Sequence, residues 1–213
     1  MIKRILFILS LMCVMTTDMM AQVRGEKEHW REPFDLYVGP KVGATYSNIT
    51  KLGGDPVIFG TLGGFVEVFF TDRLGMNIEL SMTHEGSKNV KHTNSAGAVG
   101  EYDYNFWLIN TDYKLKYYFT KEICVFTGFH FGTFTHAKAK LHGGSTGNIK
   151  SHLHRQGAIP VGLSYETEKF SVEGVFHFPL RKLAKKDGKA EEIMGDAKTQ
   201  LIELKFGYKI KLF

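Results

Sequence analysis

Histidine is the residue type in this chain with the most scope for chemistry. Six of the nine histidines lie between residues 130 and 177, namely His130, His136, His142, His152, His154 and His177. A strand through His152-Leu153-His154 would place two imidazoles on one face, a spacing that can chelate zinc, copper or nickel. His142, His152 and His154 are therefore the candidate metal ligands. Because the spacing defines no complete ligand set, ordinary polar histidines remain the alternative.

A hydroxyl, an imidazole and a carboxylate also stand close together in the sequence. His84 and Glu85 lie between Ser81 and Ser87, and such groups serve enzymes that modify lipids. Nothing in the spacing requires these groups to meet, because short polar residues are common where a strand ends. The sequence therefore predicts no catalytic residues, no cofactor and a protein that is not an enzyme.

The elements that must position these residues have two distinct faces. In residues 65–82, FVEVFFTDRLGMNIELSM, the second half places apolar side chains at every other position: Leu74, Met76, Ile78, Leu80 and Met82. Polar or small residues fill the positions between them, which indicates a strand with one apolar and one polar face. Only Thr71-Asp72-Arg73 separates the two halves, which is enough for a tight hairpin and too short for a crossover.

The same alternation recurs along the chain and predicts eight strands. Their expected ranges are 34–47, 57–70, 73–83, 104–119, 122–140, 153–166, 170–181 and 199–213. Three connections, at 71–73, 120–122 and 167–169, are short and combine a threonine with two charged residues. The other four, at about 48–56, 84–103, 141–152 and 182–198, are long and polar. Strict alternation of short and long connections predicts an all-β fold, an eight-stranded antiparallel up-and-down barrel.

The volume of the interior indicates which face of these strands points inward. Eight strands enclose a lumen that is only just wide enough for side chains to fill. The apolar face carries about five or six large residues per strand, which such a lumen could hardly hold. The apolar face is therefore expected to contact lipid, and the barrel to be a transmembrane one with Tyr46, Phe70, Trp107, Tyr117, Phe119, Tyr165 and Phe170 at the membrane interfaces.

The polar face, which should line the lumen, combines glycine with charged side chains and with His130, His136, His154 and His177. Its expected charged residues are Lys41, Glu67, Glu79, Asp112, Lys114, Lys116, Lys138, Glu166, Glu173, Arg181, Glu203, Lys205 and Lys209. Both signs are dispersed over the strands, so the sequence predicts a network of ion pairs that plugs the lumen. An open conduction path is the less favoured alternative, because eight strands leave little room for water.

The first 21 residues are expected to be a signal peptide. A basic start at Lys3 and Arg4 precedes an apolar run too short to span a bilayer, and Ala21 is a small residue at the expected cleavage site. Residues 22–33 form a short N-terminal segment before the barrel domain at 34–213. Removal of the leader leaves 25 basic and 21 acidic residues, a net charge of +4. This modest charge and the predicted export argue against nucleic acid as a partner.

Several segments together resemble the outer-membrane β-barrel (PorT-like) proteins of Bacteroidota. The resemblance rests on the order of LYVGPKVGATYSNI, FFTDRLGMNIELSMTHEGS, LINTDYKLKYYFTKEICVFTGFHFG, SYETEKFSVEGVFHFPL and ELKFGYKIKLF. It implies a place in the cell outer membrane, with lipid, the barrel-insertion machinery and another envelope protein as partners. Phe213 looks like the terminal residue that this machinery reads, although it lies out of phase with the apolar face.

The sequence as a whole predicts a structural, docking or ligand-binding role through long extracellular loops, with a plugged polar lumen. Two alternatives stay open at this point. One is a lipid-modifying enzyme of the outer membrane, and the other is a component of a secretion or uptake assembly.

Overall fold

The computed structural model describes residues 31–93, 99–144, 146–185 and 194–212. The predicted signal peptide at residues 1–21, most of the segment 22–33 and the terminal Phe213 lie outside the described residues. Within the described ranges, no helix is both long and apolar enough to cross a membrane.

Ten antiparallel strands form one sheet. They are β1 (Leu36–Ile49), β2 (Val57–Phe69), β3 (Leu74–Thr93), β4 (Val99–Tyr118), β5 (Ile123–Leu141), β6 (Thr146–Asn148), β7 (Gln156–Glu166), β8 (Phe170–Pro179), β9 (Thr199–Tyr208) and β10 (Ile210–Lys211). A short 3₁₀ helix, Lys150–His152, precedes β7. The strand order is sequential except that β6 pairs only with β5, and β10 continues the line of β9 beside β1.

Pairing of the first and last long strands closes the sheet into a ring. β1 pairs with β9 from Lys41↔Gly207 to Ile49↔Thr199, while its other edge pairs with β2. The ring therefore contains β1, β2, β3, β4, β5, β7, β8 and β9. This confirms the predicted eight-stranded antiparallel up-and-down barrel, in which every long strand has a neighbour on both edges.

Threonine stabilises all three short turns. The Thr71 hydroxyl accepts a hydrogen bond from the Leu74 backbone N–H at 2.9 Å. Thr120 accepts one from the Ile123 N–H at 3.0 Å, and the third equivalent bond joins Thr167 to the Phe170 N–H at 3.0 Å. The recurring threonine is thus a turn-closing side chain, as expected from its local backbone bonding. These turns define the short-turn end of the barrel, and the other end is the long-loop end.

The structure differs from the sequence-based expectation at the long-loop end of β3 and β4. The predicted loop at 84–103 is wrong for most of its length, because β3 continues to Thr93 and β4 starts at Val99. A register shift between Ser87 and Val90 interrupts the pairing. Asn89 lies in the left-handed region there, with φ of 53°. The polar side chains suggested a loop, but the two strands stay paired and bury Val90 and Tyr104 on one face.

The outer surface of the barrel is apolar, as the volume of the lumen predicted. Each outward-facing side chain in the middle of β3 is substantially exposed: Ile78 by 40%, Leu80 by 58% and Met82 by 47%. Large apolar side chains are also exposed on the other barrel strands, among them Val42, Leu62, Ile109, Leu115, Phe129, Leu163, Val172 and Leu204. A continuous band of this kind is stable only against lipid, so the fold is that of a transmembrane β-barrel. We call this band the apolar belt.

The interior at the long-loop end is apolar rather than polar. Phe106 and Leu108 of β4 and Phe134 of β5 point inward and are buried there. They pack with Ile49 at the end of β1 and with side chains from the connecting segments: Leu153, Leu183, Ala184, Met194 and Ala197. The expectation of a uniformly polar interior is therefore wrong at this end, because the connections fold back over the barrel and bury apolar residues of their own.

Candidate functional site

The middle of the barrel interior holds a cluster of buried ion pairs around two glutamates. Glu79 accepts hydrogen bonds from Lys41 at 3.0 Å, from Lys114 at 2.7 Å and from Lys205 at 2.7 Å. Glu173 accepts from Lys41 at 2.7 Å, and from Lys114 at 2.9 Å. All of these side chains are at most 2% exposed. Each ammonium therefore has direct carboxylate partners in place of the water that it has lost.

A second cluster lies nearer the short-turn end. Glu166 accepts hydrogen bonds from Lys116 at 2.7 Å, from Lys209 at 2.6 Å and from the Tyr118 hydroxyl at 2.9 Å. The Arg31 guanidinium lies 3.6 Å from the centroid of the Tyr118 ring and donates to the backbone carbonyl of Lys121 at 2.7 Å. The segment that precedes β1 thus covers this end of the barrel with a buried cation.

The two clusters together balance their charges. Six basic side chains of the described residues take part, Arg31, Lys41, Lys114, Lys116, Lys205 and Lys209. They meet six carboxylates, Glu67, Glu79, Asp112, Glu166, Glu173 and Glu203. Apart from Lys205 and Glu203, which are both on β9, the paired residues come from different segments of the chain, so the barrel must close before most of the ion pairs can form.

Three residues depart from the interior network that the alternation predicted. Arg181 is exposed, because β8 ends at Pro179 and the alternation of faces ends with it. Lys138 and His136 are exposed because β5 contains a bulge: Trp107 pairs with His136, but Leu108 pairs with Phe134. The extra residue, Thr135, reverses the faces beyond it. Arg31 is buried beneath the barrel, although nothing in the sequence pattern pointed to it.

A pair of histidines lies between the ion pairs and the apolar closure of the long-loop end. The His130 Nδ1 is 2.6 Å from an Asp112 carboxylate oxygen, and the His177 Nε2 is 2.7 Å from Glu203. The two rings are edge to face, with centroids 4.5 Å apart. Within the described part of the chain, the remaining ring nitrogens, His130 Nε2 and His177 Nδ1, have no hydrogen-bond partner.

The metal ligands predicted from the sequence, His142, His152 and His154, are not brought together. His152 ends the 3₁₀ helix and is exposed. His154 is partly buried, and its backbone N–H donates to the Leu183 carbonyl. The strand predicted at 153–166 starts only at Gln156, so these two imidazoles do not share a strand face. His142 lies beyond the end of β5. Of the described residues, those that could hold a metal ion together are Asp112, His130 and His177.

His142 forms a separate contact outside the apolar belt. Its Nε2 is 3.0 Å from Asp103 and its Nδ1 is 3.3 Å from Glu101. The hydrogen bond with Asp103, together with the negative charges of Asp103 and Glu101, raises the pKa of His142 above its ordinary value. With both ring nitrogens facing carboxylates, only the doubly protonated imidazolium can donate to both.

This contact should therefore depend on pH. Because the pKa of His142 is raised in the folded state, the contact is fully present below the ordinary imidazole pKa and is lost as pH rises through the raised pKa. A titration of the His142 ring resonance by NMR should give a midpoint that Asp103→Asn moves to lower pH. Glu168→Gln, in a turn at the other end of the barrel, should leave the midpoint unchanged. An equal midpoint in the native chain and in Asp103→Asn would contradict the assignment.

The candidate catalytic residues do not assemble into a site. His84 points outward, where its ring stacks between Phe59 and Trp107 with centroid distances of 3.5 and 4.5 Å. Glu85 is buried on the opposite face of β3 and accepts a hydrogen bond from Gln156 at 2.9 Å. Alternation along the strand thus separates the imidazole from the neighbouring carboxylate.

A groove of about 810 Å³ lies on the outer side of β3, β4 and β5, beyond the apolar belt. Its apolar wall includes Phe59, Met82 and Trp107, which adjoin the belt. Its polar wall includes the exposed side chains of Lys88, Lys138 and Lys140, and the Asp103 carboxylate that His142 contacts. The bulge at Thr135 is what places the last two lysines on this face instead of in the interior.

Comparison with solved structures finds outer-membrane barrels of low sequence identity. Ail, the attachment invasion locus protein of Yersinia pestis, is 13% identical over 84% of this chain and 100% of its own, with a TM-score of 0.49. OprG from Pseudomonas aeruginosa is 14% identical over 84% of this chain and 97% of its own, with a TM-score of 0.46. Neisserial surface protein A is 15% identical over 83% of this chain and 97% of its own, with a TM-score of 0.45.

No protein-family model and no curated protein matches this chain. The class of transmembrane β-barrel therefore rests on the closed sheet, the apolar belt and the charged interior of the chain itself.

Proposed function

We propose that this chain is an integral outer-membrane β-barrel protein with a plugged lumen, and that it binds an anionic lipid headgroup beyond the apolar belt. The groove beside Trp107 is the observation that carries this function, because it combines apolar side chains at the edge of the belt with three lysines above them. PorT-like membership is part of the proposal and is supported by the order of the segments that resemble that family.

The outer membrane is favoured as the location because a closed barrel leaves no unpaired strand edge for lipid to meet. The leader predicted at residues 1–21 supplies the route of export. Short turns on one side and longer connections on the other are the usual arrangement of such barrels. The short-turn end would therefore face the periplasm, and the groove would face the outer leaflet.

Three layers support a plugged lumen. Arg31 and Tyr118 cover the short-turn end, and the ion pairs around Glu79 and Glu173 fill the middle. Phe106 and Leu108 lie above them in the apolar cluster of the long-loop end. Water would have to displace packed side chains in every layer, so the barrel would act through its surface.

The proposed ligand follows from the position of the groove. A lipid at the edge of the belt would lay its acyl chains against Met82 and Trp107, which are 47% and 40% exposed. Its headgroup phosphate would lie level with Lys138 and Lys140, which are two positions apart and on the same face of β5. An ammonium near a charged membrane surface contributes about 1 kcal/mol to binding.

The double variant Lys138→Ala, Lys140→Ala tests this function. Loss of two such ammonium groups should weaken binding of a phosphorylated glucosamine disaccharide lipid by about 2 kcal/mol, roughly thirty-fold. Retention of the lipid by the refolded protein can be measured by native mass spectrometry from detergent micelles.

The matched control is Lys150→Ala, Lys169→Ala, which removes the same charge from exposed positions outside the groove. This variant should bind like the native chain, and the lipid without phosphates should bind the native chain as weakly as the groove variant does. Equal retention by both double variants would overturn the proposed lipid site.

A further inference from the structure

The histidine pair inside the barrel has the features of a metal site that the proposed lipid-binding function does not use. His130 on β5 and His177 on β8 are separated in the sheet by β7, yet both side chains point inward and are 2% exposed. In the register of β7, Ala158 pairs with His130 and Pro160 pairs with His177, so the two histidines lie at nearly the same height. From this arrangement we propose that His130 and His177 bind a divalent transition-metal ion such as zinc, with Asp112 and Glu203 as the carboxylates that hold the two rings.

The hydrogen bonds of the pair leave one nitrogen of each ring available as a ligand. Asp112 occupies the Nδ1 of His130, and Glu203 occupies the Nε2 of His177, at 2.6 and 2.7 Å. A neutral imidazole that donates through one nitrogen presents a lone pair at the other. Metal-bound histidines in proteins are usually held in this way, with a carboxylate on the nitrogen opposite the metal.

The two rings are close enough to share a small ion. Their centroids are 4.5 Å apart. Two imidazole nitrogens bound to one zinc ion, with bonds of about 2.0–2.1 Å, lie at most about 4.2 Å apart. Imidazole nitrogens favour zinc, copper or nickel over magnesium or calcium, which prefer oxygen ligands.

A small cavity gives the ion a place and a route of entry. It has a volume of about 20 Å³, and its polar lining includes His130, His154, Gln156 and His177, with the exposed Arg181 and Lys182 at its outer side. That volume suits one water molecule or one ion. The cavity thus leads from the long-loop end to the histidine pair.

Charges of both signs surround the pair. The Lys205 ammonium would repel a bound cation, since it lies 2.7 Å from Glu203 and 3.6 Å from Asp112. Glu79 also binds this ammonium, at 2.7 Å, and partly neutralises it. Glu85 adds a further carboxylate, because it interacts electrostatically with His130 and its Oε1 has no hydrogen-bond partner among the described residues.

The test uses the full mature chain without a histidine tag, refolded in detergent micelles and titrated with cobalt(II) and then zinc. One cobalt per chain should bind at micromolar concentration, with visible absorption bands that zinc removes. His177→Gln should abolish these bands. Asp112→Asn should weaken binding about ten- to a hundred-fold, as loss of a group that positions a ligand does.

The matched control is His136→Gln with His142→Gln, which removes two exposed histidines outside the cavity and should leave binding intact. The shift in gel mobility on heating shows whether each variant has folded. X-ray absorption of the native zinc complex gives a second measurement, in which imidazole scattering at about 2.0–2.1 Å is expected. Absence of cobalt binding by the folded native chain, or its loss only in the control variant, would overturn the site and show that the pair holds water alone.

Discussion

Ile78→Arg is expected to destabilise the folded barrel in a lipid bilayer by about 2–4 kcal/mol, the cost of an arginine on the lipid face near mid-depth. Ile78 is the central residue of the five outward-facing apolar positions from Leu74 to Met82, and its side chain is 40% exposed. In a bilayer that exposed surface contacts acyl chains, which offer the guanidinium no hydrogen-bond partner. Urea unfolding in lipid vesicles, followed by tryptophan fluorescence, measures the change in the free energy of unfolding.

The matched control introduces an arginine on the outer face beyond the belt. Asn105 is exposed on the outer face of β4, two residues before Trp107 in the chain and nearer the long-loop end. Asn105→Arg should cost at most about 1 kcal/mol, because the penalty falls toward the membrane interface. Asn77→Ser, on the inward face beside Ile78, should be nearly silent. Equal stability of the two arginine variants would show that the apolar belt does not face lipid.

Glu173→Gln is expected to destabilise the barrel by about 3–5 kcal/mol, as loss of one member of a buried ion pair does. The Glu173 carboxylate accepts hydrogen bonds from Lys41, Lys114 and Lys116 at 2.7–3.1 Å. A neutral amide would leave these three buried ammonium groups with one counter-charge fewer and no access to water. The same unfolding measurement reports the loss.

Two further variants separate the charge effect from simple damage to packing. Glu168→Gln makes the same chemical change at an exposed residue of a short turn and should lie within about 0.5 kcal/mol of the native chain. Adding Lys114→Met to Glu173→Gln removes the excess charge and should recover part of the lost stability. In planar bilayers the native chain should give no stable single-channel conductance. A Glu173→Gln variant as stable as the native chain would contradict the proposed plug.

The strands and their outer face were predictable because apolar and polar residues alternate along the sequence with a period of two. Ile78 and Leu80 alternate with Asn77 and Glu79, and a strand allows only one way to place such residues on two faces. The short turns also depend on local contacts, since the Thr71 hydroxyl accepts hydrogen bonds from backbone N–H groups two and three residues away. The limited volume inside eight strands then decided which face met lipid.

The bulge in β5 could not be predicted from the alternation of residues. One extra residue at Thr135 moves His136 and Lys138 from the interior to the outer groove. The extra residue follows from the pairing of β4 with β5 and has no separate signal in the alternation. Arg31 is a similar case: its burial against Tyr118 depends on a contact between segments far apart in the chain.

The sequence by itself determined the eight strands of the ring, the apolar belt and most of the charged residues that face the interior, because each depends on neighbours one or two residues away. Only the tertiary structure decided which charges meet, that the long-loop end is closed by apolar side chains, and that His130 lies beside His177. Those two histidines belong to strands that do not pair with each other. The distance between them depends on the register and closure of the whole ring. The spacing of residues within one strand cannot predict that distance.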